Sequence, residues 1–224
     1  MKIISYIQSS DGKINNNSLE SLFAAQQISD RTNGEVYILT FDNSIVDSLK
    51  NYKSDGIILL NNPDLRDYNP IYYLKALEKI NEQFSPNLLL FGHTYQTRDW
   101  VPRLSARLDI PFIADCINFK NEETLNFIRP VYQAKLNEKI ILNDKFGIIS
   151  FQSGSFSASD ITSGSSTVQS LDVDLSDITL NIRPGEKFKE SADDVDLTSS
   201  EVIVSIGRGI SKKENIPLAE KLAE

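Results

Sequence analysis

The chain has one cysteine, Cys116, and one histidine, His93. A lone cysteine excludes an internal disulfide. One residue of each kind falls short of the four Cys/His ligands of a structural zinc site. Basic residues are the minority: 23 Lys and Arg against 31 Asp and Glu give a formal net charge of −8. That balance argues against non-specific binding to nucleic acid or to anionic membrane. No apolar run approaches the ~20 residues that span a bilayer. No P-loop, complete G-x-G-x-x-G or acidic metal loop is present. Ser155 follows Gly154 in a Ser-rich stretch but lacks the G-x-S-x-G setting of a hydrolase nucleophile.

What is present is enough for a core: 40% of 224 residues are hydrophobic, which suits one large domain or one domain with a piece of another. The opening MKIISYIQ reads as a strand and not as a leader peptide, so the expectation is a cytoplasmic chain that starts here. Apolar runs at residues 3–7, 35–41, 56–60, 87–91 and 110–113 read as strands. Helical spacing lies between them at 18–31, 45–52 and 98–108, with a further helix opened by Asn69-Pro70. Asn33-Gly34 stops the first helix, because both residues tolerate the left-handed conformation.

The rhythm changes after residue 115. Residues 124–141 and 147–153 read as strands with no helix between them, so antiparallel strands or a hairpin are expected there. Residues 153–170 are rich in Ser, Gly and Thr and read as a loop or linker. Val173, Leu175, Ile178, Leu180 and Ile182 predict one more strand or two short ones. Residues 186–200 are polar and acidic, a candidate linker. A strand at 202–205, the turn Gly207-Arg208-Gly209 and a helical pattern close the chain. The expected fold is α/β and three-layered: a mostly parallel sheet with helices on both faces, added antiparallel strands, and a truncated second α/β domain. The expected boundaries are 1–190 and 191–224.

Several blocks carry a resemblance. They are Tyr6-Ile7-Gln8-Ser9-Ser10-Asp11-Gly12-Lys13, Gly92-His93-Thr94, Arg98-Asp99, Pro102-Arg103, Ala106-Arg107-Leu108, Ala114-Asp115-Cys116, Arg129-Pro130-Val131-Tyr132, and residues 204–209 with Glu214-Asn215. In this order the chain resembles the electron transfer flavoprotein alpha subunit along essentially its whole length. Thr97, Gln152-Ser153 and Ile206 depart from the family pattern.

The resemblance implies an N-terminal α/β domain followed by the first strand and helix of a domain that holds FAD. It therefore implies a shortened, proteolysed or gene-disrupted chain, in which FAD binding is absent or incomplete. It implies a beta-subunit partner and one FAD in the heterodimer. Electrons would pass from flavin dehydrogenases, such as those of fatty acid beta-oxidation, to a quinone reductase or another acceptor. It implies an electron carrier subunit and not an enzyme, because outer-sphere transfer asks no acid, base or nucleophile of this domain. It places Arg208, between Gly207 and Gly209, against the flavin. Two other readings stand beside it: an adenine-nucleotide-binding α/β module, and a stand-alone interaction protein.

Read from the residues alone, other candidates have plain alternatives. Arg208 is equally a turn arginine paired with a carboxylate. His93 follows a strand end, where open α/β sheets bind ligands, and is a candidate general base or a hydrogen-bonded structural histidine. Arg98, Asp99, Arg103 and Arg107 form a solvated helix face or an interface face. Trp100 belongs to an interface or to the core. Lys212 and Lys213 read as surface lysines near a helix start. Cys116 reads as a buried, inert thiol. Arg129, Pro130 and Tyr132 read as strand anchors, with the proline at an edge or bulge.

Overall fold

The computed structural model describes residues 1–122, 124–142, 146–180, 182, 184–185 and 202–223. The chain divides into two compact units, Met1–Pro184 and Gly185–Glu224. The sequence-based boundary at 190/191 lies outside the described residues, as does the acidic linker at 186–200.

The first unit runs β1 (Lys2–Tyr6), the short pair β2 (Ser9–Ser10) and β3 (Lys13–Ile14), α1 (Asn16–Thr32), β4 (Glu35–Thr40), α2 (Val46–Leu49) and β5 (Gly56–Leu60). It continues through α3 (Pro70–Phe84), β6 (Leu88–Gly92), α4 (Tyr95–Leu108), β7 (Phe112–Cys116), β8 (Asn118–Asn121), β9 (Leu125–Val131), β10 (Leu136–Ile141), β11 (Gly147–Phe151) and β12 (Val168–Leu171). Seven strands form one sheet in the order β12-β5-β4-β1-β6-β11-β7. Every pairing in it is parallel.

Helices cover both faces, as a parallel sheet requires. Ile3 and Ile7 point to one face with Leu22, Ala24, Ala25 and Ile28 of α1. Ile4 and Tyr6 point to the other with Leu74 and Leu77 of α3 and Trp100 and Leu104 of α4. The period of two along β1 is what separates the two cores. No helix among the described residues is long and apolar enough to cross a membrane.

Local signals set the helix ends. Asn15, Asn69 and Thr94 cap α1, α3 and α4 through side-chain oxygens, each satisfying an otherwise orphan amide. Asn33 closes α1 at φ 49°, and Ser85 and Asp109 end α3 and α4 in the same left-handed conformation. Thr94 therefore starts α4 a turn earlier than the spacing at 98–108 predicts. Trp100 belongs to the core and is fully buried. Its ring meets Tyr6, Tyr73 and Phe91 edge-on, with centroids 5.9, 5.6 and 5.5 Å away. The indole Nε1 finds no conventional partner; it sits among aromatic faces, which are weak acceptors.

Three expectations change. Residues 147–151 do not extend the antiparallel part; β11 inserts between β6 and β7, parallel to both. All five residues are buried, and only a central slot hides both faces of a strand. The antiparallel sheet is separate, β10-β9-β8. Within 153–170, β12 adds a parallel edge beside β5. Val173 and Leu175 are buried but lie beyond it in irregular chain, where Asn62 Nδ2 donates to Val173 O at 2.7 Å.

In the second unit, residues 202–207 form no strand; 3₁₀ turns at Arg208–Ile210 and Lys213–Asn215 lead into α5 (Ile216–Ala223). A strand needs a ladder partner, and no strand pairs with these residues among those described.

Trp100→Ala should cost about 3–5 kcal/mol of stability, the usual range for deleting a buried aromatic, while Trp100→Phe should lose less. Urea unfolding of the two variants measures the difference. A Trp100→Ala chain as stable as the parent would show that the aromatic cluster is not an organising core.

Candidate functional site

Strand order reverses at β1: β4 and β5 lie on one side of it and β6 on the other. In open α/β sheets the crevice outside the carboxyl ends at such a switch point is the usual ligand site. Here the chain's own polar groups fill it. Thr94 Oγ1 donates to Gln8 Oε1 at 2.7 Å, and Gln8 N donates to Ser18 Oγ at 3.2 Å. The first turn of α1 sits so close to β6 that a Cβ on Gly92 would lie 2.8 Å from the Asn17 carbonyl carbon. The Asn17 carboxamide, with its nitrogen assigned to Phe151 O (3.1 Å) and its oxygen to His93 N–H (2.9 Å), ties the same strand ends. Glu20, also buried, accepts from Gly154 N at 2.7 Å and from Asn16 Nδ2 at 3.1 Å. After β1 the chain makes the tight β2–β3 hairpin, with Asp11 and Gly12 at positive φ, in place of a phosphate-binding glycine loop.

A second polar group lies beside it, at the ends of β6, β11 and β7. His93 Nδ1 is 2.8 Å from Ser150 Oγ, and Ser150 Oγ accepts from Asp115 N at 3.2 Å. His93 Nε2 stands 3.7 Å from Asp115 Oδ1. The tautomer with its proton on Nε2 suits both nitrogens: Ser150 donates to Nδ1, and Nε2–H faces the carboxylate. Asp115 adopts φ 61° where the β7–β11 register shifts, which turns its side chain toward His93. Serine, histidine and aspartate thus form one chain. Ser150 is fully buried inside β11, so no substrate reaches its oxygen, and the group is not a nucleophilic triad.

Burial is the main force holding His93 below its usual range. Arg98 and Arg129 push the same way, while Asp115 opposes them. Cys116, buried next to this group, is pushed up to about 12, chiefly by burial, with Arg129 opposing. Its thiol is therefore protonated and unreactive at neutral pH.

The remaining candidates have definite places. Arg103 pairs with Asp99 at 2.8 Å and Arg107 with Glu78 at 2.5 Å, so that face of α4 is answered by carboxylates. Arg98 lies over the Tyr95 ring, 5.5 Å from its centroid. Pro130 lies where β9 has β10 on one side, beyond the stretch that β8 pairs, so its missing N–H leaves no gap in a ladder. Tyr132 does not anchor a strand. It opens a turn in which Tyr132, Gln133 and Ala134 all have positive φ, and it is largely exposed. Sequence reading did not single out Gln8, Asn17 or Ser150; their partners are distant in sequence, and no local pattern marks them.

Gly207, Arg208 and Gly209 lie in the second unit, all exposed. No atom comes within 4 Å of where a Cβ would stand on either glycine. Among the described residues no carboxylate lies within ion-pair distance of Arg208. An unanswered guanidinium between two open backbone positions fits one edge of a site for a flat, electron-rich cofactor such as a flavin. Asn215 precedes α5, but its Nδ2 donates back to Ile210 O at 3.0 Å. Lys212 and Lys213 are exposed.

Comparison with known proteins matches residues 3–176 to the electron transfer flavoprotein domain. The electron transfer flavoprotein subunit alpha of Bacillus subtilis is 33% identical over 228 residues, covering 100% of this chain and 69% of the relative. That of Thermoanaerobacterium thermosaccharolyticum is 25% identical over 98% of this chain and 68% of its own length. The acryloyl-CoA reductase electron transfer subunit beta of Anaerotignum propionicum is 27% identical over 98% and 69%.

Because His93 resists protonation when folded, an unfolded chain takes up that proton first, near the ordinary value of about 6.5. Stability should therefore fall as pH drops below that value. His93→Gln should flatten the slope of stability between about pH 6.5 and 5.5, as measured by urea unfolding at each pH. An unchanged slope would remove His93 as its source.

Proposed function

We propose a function from one premise: the chain belongs to the electron transfer flavoprotein family, among its alpha subunits. The observation that carries the reading is the full-chain similarity to an alpha subunit of that name. In this reading the chain is the alpha-subunit part of an electron carrier, and the parallel-sheet unit is a rigid base that pairs with a beta subunit. Electrons enter from flavin dehydrogenases, including those acting on acyl-CoA, and leave to a quinone reductase or another acceptor, in the cytoplasm. The chain is not itself an enzyme.

FAD, when bound, supplies the reversible electron chemistry. What this chain contributes toward it is an edge. Gly207 and Gly209 leave room for close backbone approach, and Arg208 sets a fixed positive charge beside the ring system. A guanidinium there favours the reduced, more negative form and so raises its potential. The three residues are part of a site, and the remaining contacts come from elsewhere in the assembled protein.

The closed switch-point crevice bears on the adenine-nucleotide reading. The Gln8–Thr94 bridge and the seat of α1 at Gly92 occupy the place where such a module would hold its phosphate.

The test is purification of the native protein from its own organism. A beta subunit should co-purify at equal stoichiometry with bound flavin. Arg208→Ala in that assembly should lower the flavin potential by roughly 30 mV, which for a two-electron couple corresponds to about 1.4 kcal/mol. Full occupancy by a partner with no flavin would favour the stand-alone interaction protein. Saturable AMP or ATP binding by the isolated chain would favour the nucleotide module.

A further inference from the structure

Beside the closed crevice, groups from three separate elements converge on the end of β7. His93 follows β6, Arg98 stands near the start of α4, and Arg129 lies on β9. The backbone brings Arg129 there: Ile117 N donates to Ile128 O at 2.8 Å, so the next residue of β9 reaches the carboxyl end of β7. Both guanidiniums act electrostatically on His93, and Arg129 acts on Cys116 as well.

Their charges are poorly answered. Among the described residues no carboxylate lies within ion-pair distance of Arg98. Its partner is the ring of Tyr95, which is 88% exposed. Arg129 Nε is buried without a hydrogen bond. The carboxylate facing it across the β9–β10 ladder, Glu138, stands 3.7 Å away, beyond hydrogen-bond reach. A buried cationic N–H without an acceptor is costly, and its presence marks a place for one. His93 Nε2 has only the long approach to Asp115 at 3.7 Å.

We propose that Arg98, Arg129 and His93 form a subsite for a phosphate-class oxyanion at the carboxyl end of β7, with Asp115 selecting anions that carry a hydroxyl. Paired guanidinium groups match phosphate oxygens in shape and charge. The place is one where α/β sheets present ligands. Asp115, about a third exposed, repels a bare dianion but accepts a hydrogen bond from a protonated phosphate or from an alcohol next to a phosphate ester. The site does not depend on the flavin reading and shares no residue with Arg208.

The only histidine of the chain makes the test local. Inorganic phosphate, titrated at constant ionic strength, should shift the His93 ring resonances saturably in NMR spectra. Arg98→Gln, a change at an exposed side chain that leaves the fold intact, should weaken this binding by about tenfold or more, as expected for loss of one charge-assisted contact. Arg107→Gln, remote on α4 and paired with Glu78, should leave it within about twofold, since exposed pairs contribute little. Glycerol phosphate in a parallel titration separates the sources. Tighter binding than inorganic phosphate assigns the site to an organic phosphate, and equal binding assigns it to the free ion. No saturable shift, an equal shift from chloride, or undiminished binding by Arg98→Gln overturns the proposal.

Discussion

The close seat of α1 on the carboxyl end of β6 governs what the rest of the molecule does. At Gly92 there is no room for a Cβ against the Asn17 backbone. Ser21, Ala24 and Ala25 of α1 are fully buried, and small side chains let a helix lie low on a sheet. With α1 held this near, Asn17, Ser18 and Glu20 reach Phe151, Gln8 and Gly154. The switch-point crevice is closed as a consequence. The fold common to nucleotide-binding domains is present, but the usual opening is used for internal tethering.

The polar groups that remain are displaced toward β7 and toward the second unit. His93 is kept neutral mainly by burial, and Cys116 is kept as a thiol for the same reason. Ser150 is hidden in a central strand. None of these is arranged for acid, base or nucleophilic work on a substrate. Arg98, Arg129 and Arg208 are different: each is a guanidinium that the described carboxylates answer weakly or not at all. Fixed positive charge, and not proton transfer, is what this chain offers to other molecules.

The alternating part of the fold was legible because each of its signals is local. Asn33, Asn69 and Thr94 act within one helical turn of themselves, and runs such as those of β5 and β6 are apolar throughout because both faces are covered. β11 shows the limit. Gly-Ile-Ile-Ser-Phe reads as a strand, yet nothing within it names β6 and β7 as its neighbours. β12 was hidden by polar residues that an edge strand tolerates on its open side. Val173 and Leu175 read as a strand because burial alone leaves the same apolar trace. The candidate site follows the same rule. His93, Arg98, Asp115, Arg129 and Arg208 stood out as residue types next to strand ends or glycines. Gln8, Asn17 and Ser150 did not, since an ordinary polar residue acquires its role only from what lies across from it.

The sequence by itself determined the α/β class, the helix ends and the family, because capping, turn chemistry and apolar periodicity act over a few residues and survive without knowledge of the rest. Tertiary structure alone decided strand order, the closing of the switch-point crevice and the meeting of Arg129 with His93. Those outcomes depend on contacts between segments far apart in the chain, such as Ile117 with Ile128 and Gly92 with Asn17. They are fixed only when the parallel sheet must cover both faces at once, a condition that no short stretch of sequence contains.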